Sequence, residues 1–176
     1  MVRMTAALMV AVLVTGLALA VEETPYQKAK IGDWVKYKIT SKVAGMTMSQ
    51  GMKKTVTAKS DTEITLSMET SMNNMTMPAQ ETKVPLAAKT ETLPAGITTE
   101  KIAEGKEDVK VGDKTYACTW IENRTKAKEG DKEMVMVSKV WTSPDVPLDG
   151  IVKMENKTEG DTPSEMTMEM EACGVK

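Results

Sequence analysis

The sequence contains no histidine and no phenylalanine, and only two of its 176 residues are cysteines. The absence of histidine excludes Ser-His and Cys-His nucleophile pairs and every metal site that uses an imidazole ligand. The chain also lacks a G-x-x-x-x-G-K-[ST] phosphate loop, a G-x-S-x-G nucleophile elbow and an EF-hand loop. We therefore expect a protein that is not an enzyme and that needs no cofactor.

An excess of charge of one sign is also missing. Lysine and arginine number 23, aspartate and glutamate number 25, and the two signs are interleaved to give a formal net charge of −2. A nucleic-acid-binding domain normally shows a basic surface. We therefore expect no nucleic acid among the partners of this protein.

The first twenty residues have the pattern of an export signal. Arg3 is followed by an uncharged stretch over residues 4–20, which ends in Ala-Leu-Ala. This pattern is typical of a cleaved secretory signal peptide, although a membrane anchor can have a similar length. We predict a signal peptide over 1–20, a single β domain over 21–176, and a periplasmic or extracellular location. No later apolar run is long enough to span a bilayer, so we do not expect an integral membrane protein.

Alternation of apolar and polar residues recurs along the rest of the chain. Val35, Tyr37 and Ile39 alternate with lysines and threonine, and a Met-x-Met-x-Met run over 166–170 ends the pattern. A period of two is typical of β-strands, in which successive side chains point to opposite faces. Together with the closely spaced turn residues, it predicts an all-β fold: a curved antiparallel sheet, as a half-barrel or open barrel, of about 8–10 strands with little helix.

Local residues refine this prediction. Pro78 cannot donate a backbone hydrogen bond, so its strand is expected to be an edge strand or to be interrupted. Gly51 is expected to mark a bulge or bend, and Asn73-Asn74 to form a hairpin turn. One short helical turn is expected over residues 100–105.

Methionine is the most unusual feature, with 16 residues and Met-x-Met repeats at 46/48, 75/77, 134/136 and 166/168/170. One interpretation is flexible core filler in place of phenylalanine and leucine. Another is a soft apolar binding surface, and a third is a site for Cu(I) or Ag(I), which prefer thioether ligands. The candidates for an apolar surface are Met134, Met136, Trp141, Met166, Met168 and Met170.

The tryptophans and two aspartates also receive structural interpretations. With so few aromatic residues in the chain, at least two of Trp34, Trp120 and Trp141 are expected to anchor the core. Asp145 and Asp149 lie near prolines and are expected to be exposed acids of a turn.

Cys118 and Cys173 form the only candidate disulfide. Export permits a disulfide, and closing a loop of this length would stabilise the fold by about 4 kcal/mol in the chain-entropy model. The alternative is two buried free thiols that do not meet.

Three segments carry a resemblance to known proteins. Lys-Thr-Tyr-Ala-Cys-Thr-Trp over 114–120, the run over 139–153 and Gly-Asp-Trp-Val-x-Tyr over 32–37 resemble a family of small exported bacterial proteins. That family distantly resembles the half-barrel of the Lol-type lipoprotein carriers. The resemblance implies a curved antiparallel sheet around an apolar cavity that holds acyl chains.

These observations lead to one functional hypothesis and two alternatives. The first is a non-enzymatic exported β-domain that binds a lipid or another apolar ligand in the cell envelope. The second is a structural or protein-interaction module whose partner is an envelope protein and which has no small ligand. The third is a methionine-rich Cu(I) or Ag(I) binder.

Overall fold

The computed structural model describes residues 25–72, 75–87, 96–129, 132–160 and 163–175. The predicted signal peptide and the predicted Asn73-Asn74 turn lie outside these residues. The one helix in the described residues is a four-residue 3-10 helix, Pro25–Lys28. No helix among them is long and apolar enough to span a membrane.

The described residues form ten β-strands. Their bounds are β1 Trp34–Val43, β2 Met46–Lys59, β3 Glu63–Met72, β4 Met75–Thr76, β5 Gln80–Pro85, β6 Ile97–Val111, β7 Lys114–Glu129, β8 Lys132–Thr142, β9 Ile151–Glu159 and β10 Ser164–Gly174.

All ten strands belong to one open sheet with the order β4-β3-β2-β1-β10-β9-β8-β7-β6, in which every neighbouring pair is antiparallel. The short strand β5 also pairs with β3, beyond the end of β4. Tyr116 on β7 reaches Cys173 on β10, at 3.4 Å between the hydroxyl and Sγ, although β8 and β9 separate those strands. The sheet is therefore strongly curved, and the predicted all-β class is confirmed.

Of the local predictions, the one at Pro78 is confirmed. β4 and β5 both pair with β3, and Met77-Pro78-Ala79 separates them at the edge of the sheet. The prediction at Gly51 is wrong, because β2 stays in register there and shifts only between Val56 and Ala58. A side chain at Gly51 would meet Ser71 Oγ at 2.5 Å, so this glycine permits a close approach between strands.

The helical turn predicted over residues 100–105 is also wrong. These residues belong to β6, and pairing with β7 continues across them with a bulge between Lys101 and Ala103. Closely spaced charges resemble a solvated helix in the sequence, but charged side chains are also typical of an exposed edge strand.

The two faces of the sheet differ in burial. We define the inner face as the one that carries Val35, Tyr37 and Ile39, which are at most 8% exposed. The outer face carries Lys36 and Lys38, which are exposed. Because directly paired residues share a face, the pairing carries this assignment from strand to strand wherever the register is unbroken.

The core fills only one half of the sheet. We call this the packed half, where β1 begins and β2 ends; the open half contains the β1–β2 turn. The buried apolar residues are Ala29, Val35, Tyr37, Ile39, Val56, Ile64, Leu66, Leu86, Tyr116, Cys118, Trp141, Val146, Leu148, Val152, Met154, Met168 and Met170. Several come from segments outside the strands, so the residues before β1, after β5 and between β8 and β9 help to fill this half.

The segment between β8 and β9 is tied down by polar contacts. Its ends are joined by a hydrogen bond from Ser143 N to Gly150 O at 2.8 Å. Asp149 forms an ion pair with Lys54 at 2.6 Å and accepts a hydrogen bond from the Tyr37 hydroxyl at 2.6 Å. Asp149 is therefore not the exposed turn acid that we expected, whereas Asp145 is exposed.

Candidate functional site

Three successive rows of paired residues cross the inner face from β8 to β2. The open row is Met136, Thr158, Ser164, Val43 and Met46. The middle row is Ser138, Asn156, Met166, Ser41 and Met48. The core row is Val140, Met154, Met168, Ile39 and Gln50. The order follows the strands from the open half toward the packed half.

Burial changes steeply across these rows. In the core row, Met154 and Met168 are 4% and 5% exposed. In the open row, Met46 is 66% exposed. None of the fifteen residues in the three rows is charged, although charged residues occupy many of the alternating outer positions. The three rows thus form an uncharged part of the inner face, and their side chains become more exposed toward the open half.

Exposed methionines border this surface on both sides. We define the methionine surface as five inner-face side chains between 40% and 68% exposed: Met46, Met48, Met72, Met75 and Met134. The first four lie on β2 to β4, where Met72 pairs with Met75, and Met134 lies on β8. Large exposed apolar patches are uncommon on soluble monomers and often mark binding sites.

The methionine surface is an open face rather than a lined cavity. A depression of about 250 Å³ at the open half is lined by Lys42, Ala44, Gly45, Lys157, Thr158, Pro163, Ser164 and Glu165. Another of about 150 Å³ is lined by Thr98, Thr99, Glu100, Arg124 and Lys126. Neither depression includes a methionine, so the methionine surface lines neither of them.

The six residues chosen from the sequence occupy three environments. Met134, Met136 and Met166 lie on the inner face of the open half with part of each side chain accessible. Met168 and Met170 are buried core residues. Trp141 pairs with Lys153, whose partner on β10 is Glu169, so the register places it on the outer face.

Trp141 nevertheless belongs to the buried core, and Trp120 packs against that core. It is 5% exposed, it pairs with Trp120, and its indole N–H donates to Glu107 Oε2 at 2.8 Å. Lys139 Nζ lies 3.9 Å from the ring centre of Trp120 and 4.7 Å from that of Trp141. Such cation–π contacts stabilise aromatic side chains at a surface.

The expectation that at least two tryptophans anchor the core is confirmed, because Trp141 belongs to the core and Trp120 packs against it. Trp34 and Trp120 are half-buried. Each indole ring lies over a glycine on the neighbouring strand. A Cβ added at Gly174 would lie 2.5 Å from the ring of Trp34, and one added at Gly105 would lie 2.7 Å from the ring of Trp120. These tryptophans cover bare backbone of the outer face.

No disulfide joins Cys118 and Cys173, which are both free thiols. Cys118 Sγ donates to the main-chain oxygen of Tyr116 at 3.4 Å, and Cys173 Sγ lies 3.4 Å from the Tyr116 hydroxyl. Burial, and then the contact with Cys173, raises the pKa of Tyr116 to about 12. The predicted disulfide is therefore not confirmed, and Tyr116 contacts both sulfurs.

The described residues contain no group of three or more His, Cys, Asp or Glu side chains that could hold a metal ion. A soft-metal site would depend on thioethers alone. The repeats at 46/48 and 134/136 lie on opposite sides of the three rows, whereas 168/170 is buried. The Cu(I) or Ag(I) site stays a prediction.

Sequence reasoning missed two polar features. The Lys54–Asp149 ion pair joins residues 95 positions apart, which alternation cannot reveal. Asn156 is 8% exposed in the middle row, and its Oδ1 has no hydrogen-bond partner among the described residues. The only sign of Asn156 in the sequence was its place after Val152 and Met154, as a polar residue at the next inner-face position of β9.

No family model and no curated protein matches the chain. A solved structure from Bacteroides fragilis, described as an exported protein with a YmcC-like fold, is 9% identical, covers 88% of this chain and all of its own, and has a TM-score of 0.50. A second, described as a lipoprotein from Parabacteroides distasonis, is 9% identical, covers 82% of this chain and 96% of its own, and has a TM-score of 0.40. At this identity the first likeness concerns the fold alone. Neither is described as a Lol-type carrier.

Proposed function

We propose that this chain is an exported, non-enzymatic β-domain that binds a lipid-like or other apolar molecule on the inner face of its open half. The observation that carries the proposal is the methionine surface, because five large apolar side chains on one face are left exposed while the other half of that face is packed. Fully burying one methionine side chain is favourable by about 1.5–3 kcal/mol.

The chemistry of methionine suits an apolar ligand of variable shape. Its side chain is unbranched and flexible, and its thioether is polarizable, so a methionine surface can adapt to different hydrocarbon shapes. The three rows, which include Met46 and Met48 of this surface, also contain hydroxyl, amide and aliphatic side chains but no charged ones. An acyl chain lying across them would meet no charged group that loses water.

Export is proposed from the sequence pattern of residues 1–20, and the protein described as exported with the same fold supports it. The periplasm or the extracellular space is the proposed location. The Lol-type half-barrel serves as the model for the binding mode, with the ligand held by the inner face of a curved sheet.

A fluorescent apolar probe tests the binding site directly. N-phenyl-1-naphthylamine is neutral, and its emission rises in apolar surroundings. We expect Met48→Glu to weaken its binding at least tenfold, because a carboxylate at this position would have to lose water on complex formation. Thr47→Glu is the matched control, since Thr47 is the exposed neighbour on the outer face of the same strand. Equal binding by both variants and the unchanged protein would place the site elsewhere.

Native mass spectrometry of protein purified from its own cells separates the alternatives. A bound lipid that is extracted by organic solvent supports the proposal. Bound copper or silver would favour the thioether metal site instead. A protein partner without any small ligand would favour the structural or protein-interaction module.

A further inference from the structure

Asn156 lies where the methionine surface meets the packed core. Its paired neighbours are Met166 on β10 and Ser138 on β8, and its neighbours along the inner face of β9 are Met154 and Thr158. Met154 is 4% exposed, whereas Thr158 is half-buried. Asn156 therefore lies next to the core row, in which Met154, Met168 and Ile39 are buried.

The Oδ1 atom of Asn156 is buried without a hydrogen-bond partner among the described residues. Buried side-chain acceptors almost always have a partner, and leaving one unpaired lowers stability. An amide oxygen can accept two hydrogen bonds and requires a donor. A leucine or methionine at this position would fill the same face without that cost, so the amide calls for a donor that the described part of the chain does not supply.

We propose that the ligand is an uncharged amphiphile whose hydroxyl or amide N–H group donates a hydrogen bond to Asn156 Oδ1. This inference rests on the function proposed above. Its hydrocarbon part covers the exposed methionines toward the open end of the sheet. Met166 and Met48, in the same row, have flexible side chains that can move aside to admit the donor.

The surrounding residues favour an uncharged head group over an ionic one. The three rows offer Ser41, Ser138, Thr158 and Ser164 as hydroxyl groups, but no lysine or arginine to pair with a carboxylate or phosphate and no acid to pair with an amine. A charged head group would lose water without gaining a partner of opposite charge.

Two probes that differ in a single donor test the proposal. 1-Dodecanol has a hydroxyl group, and its methyl ether has the same chain without the donor. We expect the unchanged protein to bind the alcohol about fivefold to tenfold more tightly than the ether in competition with N-phenyl-1-naphthylamine. This comparison requires no substitution and is therefore independent of whether any variant folds.

Asn156→Leu then assigns the preference to this residue. We expect the variant to bind the alcohol and the ether equally well and to melt no lower than the unchanged protein. Asn123→Leu is the matched control, because Asn123 pairs with Ser138 from the other side and is half-buried on the same face. It should keep the preference for the alcohol.

The outcomes separate this inference from the proposed function. Equal binding of both probes by the unchanged protein would overturn the donor inference. This is also the result expected if only water reaches Asn156 Oδ1. The proposal that the protein binds apolar molecules would not be affected. A preference that survives in Asn156→Leu would place the acceptor elsewhere and overturn the assignment. Failure to bind either probe would overturn the proposed function itself.

Discussion

The same strands run through the packed half and the open half of the sheet and carry much the same residue types. Their inner-face side chains are buried in the packed half and more exposed in the open half. In the packed half, methionines such as Met168 and Met170 fill a core that the segment between β8 and β9 helps to complete. In the open half, the continuing strands carry Met46 and Met48 on the same face, and none of the described segments buries them. Burial is thus determined by the covering segments rather than by the alternation of the strands.

The largest loss of stability is expected in the packed half, from the ion pair that holds the covering segment. Lys54 and Asp149 have side chains only 15% and 10% exposed, so Lys54→Met would leave a buried carboxylate without its cation. We expect the free energy of unfolding in urea to fall by about 3–5 kcal/mol. Lys36→Met is the control, because the Lys36–Glu171 pair is 50% and 40% exposed and its loss should cost at most about 1 kcal/mol. Equal losses would show that the buried pair does not hold the packed half.

Truncation of single methionines compares the two halves directly. Met168→Ala removes a side chain that is 5% exposed, and we expect a loss of about 2–5 kcal/mol in urea unfolding. Met46→Ala removes one that is 66% exposed and should change stability by no more than about 0.5 kcal/mol. Met168→Leu conserves volume and should cost less than about 1.5 kcal/mol. A large loss for Met46→Ala would mean that the open half is packed after all.

High pH should weaken the packed half through its tyrosines. Burial, and then the nearby Asp149 carboxylate, raises the pKa of Tyr26 and Tyr37 above the ordinary value of 10.0. Between about pH 10 and 12 the unfolded chain therefore releases protons that the folded chain retains, so the free energy of unfolding falls as the pH rises. Urea unfolding across this range measures the slope, and Tyr37→Phe should make it shallower. A slope of opposite sign would contradict the burial of these hydroxyl groups.

The sequence predicted what depends on neighbouring residues and missed what depends on distant ones. Alternation indicated the strands, and the missing donor of Pro78 indicated an interrupted edge. The helical turn expected over residues 100–105 was wrong, because these residues continue β6 at the edge of the sheet, where charges such as those of Glu100, Lys101 and Glu104 discourage pairing with other chains. Strand spacing cannot show that Asp149 folds back onto Lys54, and it cannot show which methionines a loop covers.

The candidate site was predictable only in part for the same reason. Met134, Met136 and Met166 were chosen from a spacing that also describes Met168 and Met170, and only the tertiary fold separates exposed from buried members. The pairing of Trp141 with Lys153 places Trp141 on the outer face, and this pairing cannot be read from the sequence. Asn156 became informative only when its burial and its unpaired oxygen were known.

Methionine methyl NMR tests most directly the claim that the open half binds apolar molecules. Protein labelled with ¹³C at the methionine methyl groups is titrated with N-phenyl-1-naphthylamine, whose rings shift nearby methyl signals. We predict saturable shifts for Met46, Met48, Met72, Met75 and Met134, with the signals of buried Met168 and Met170 nearly unchanged. Absence of any saturable shift, or shifts confined to the buried pair, would contradict the account.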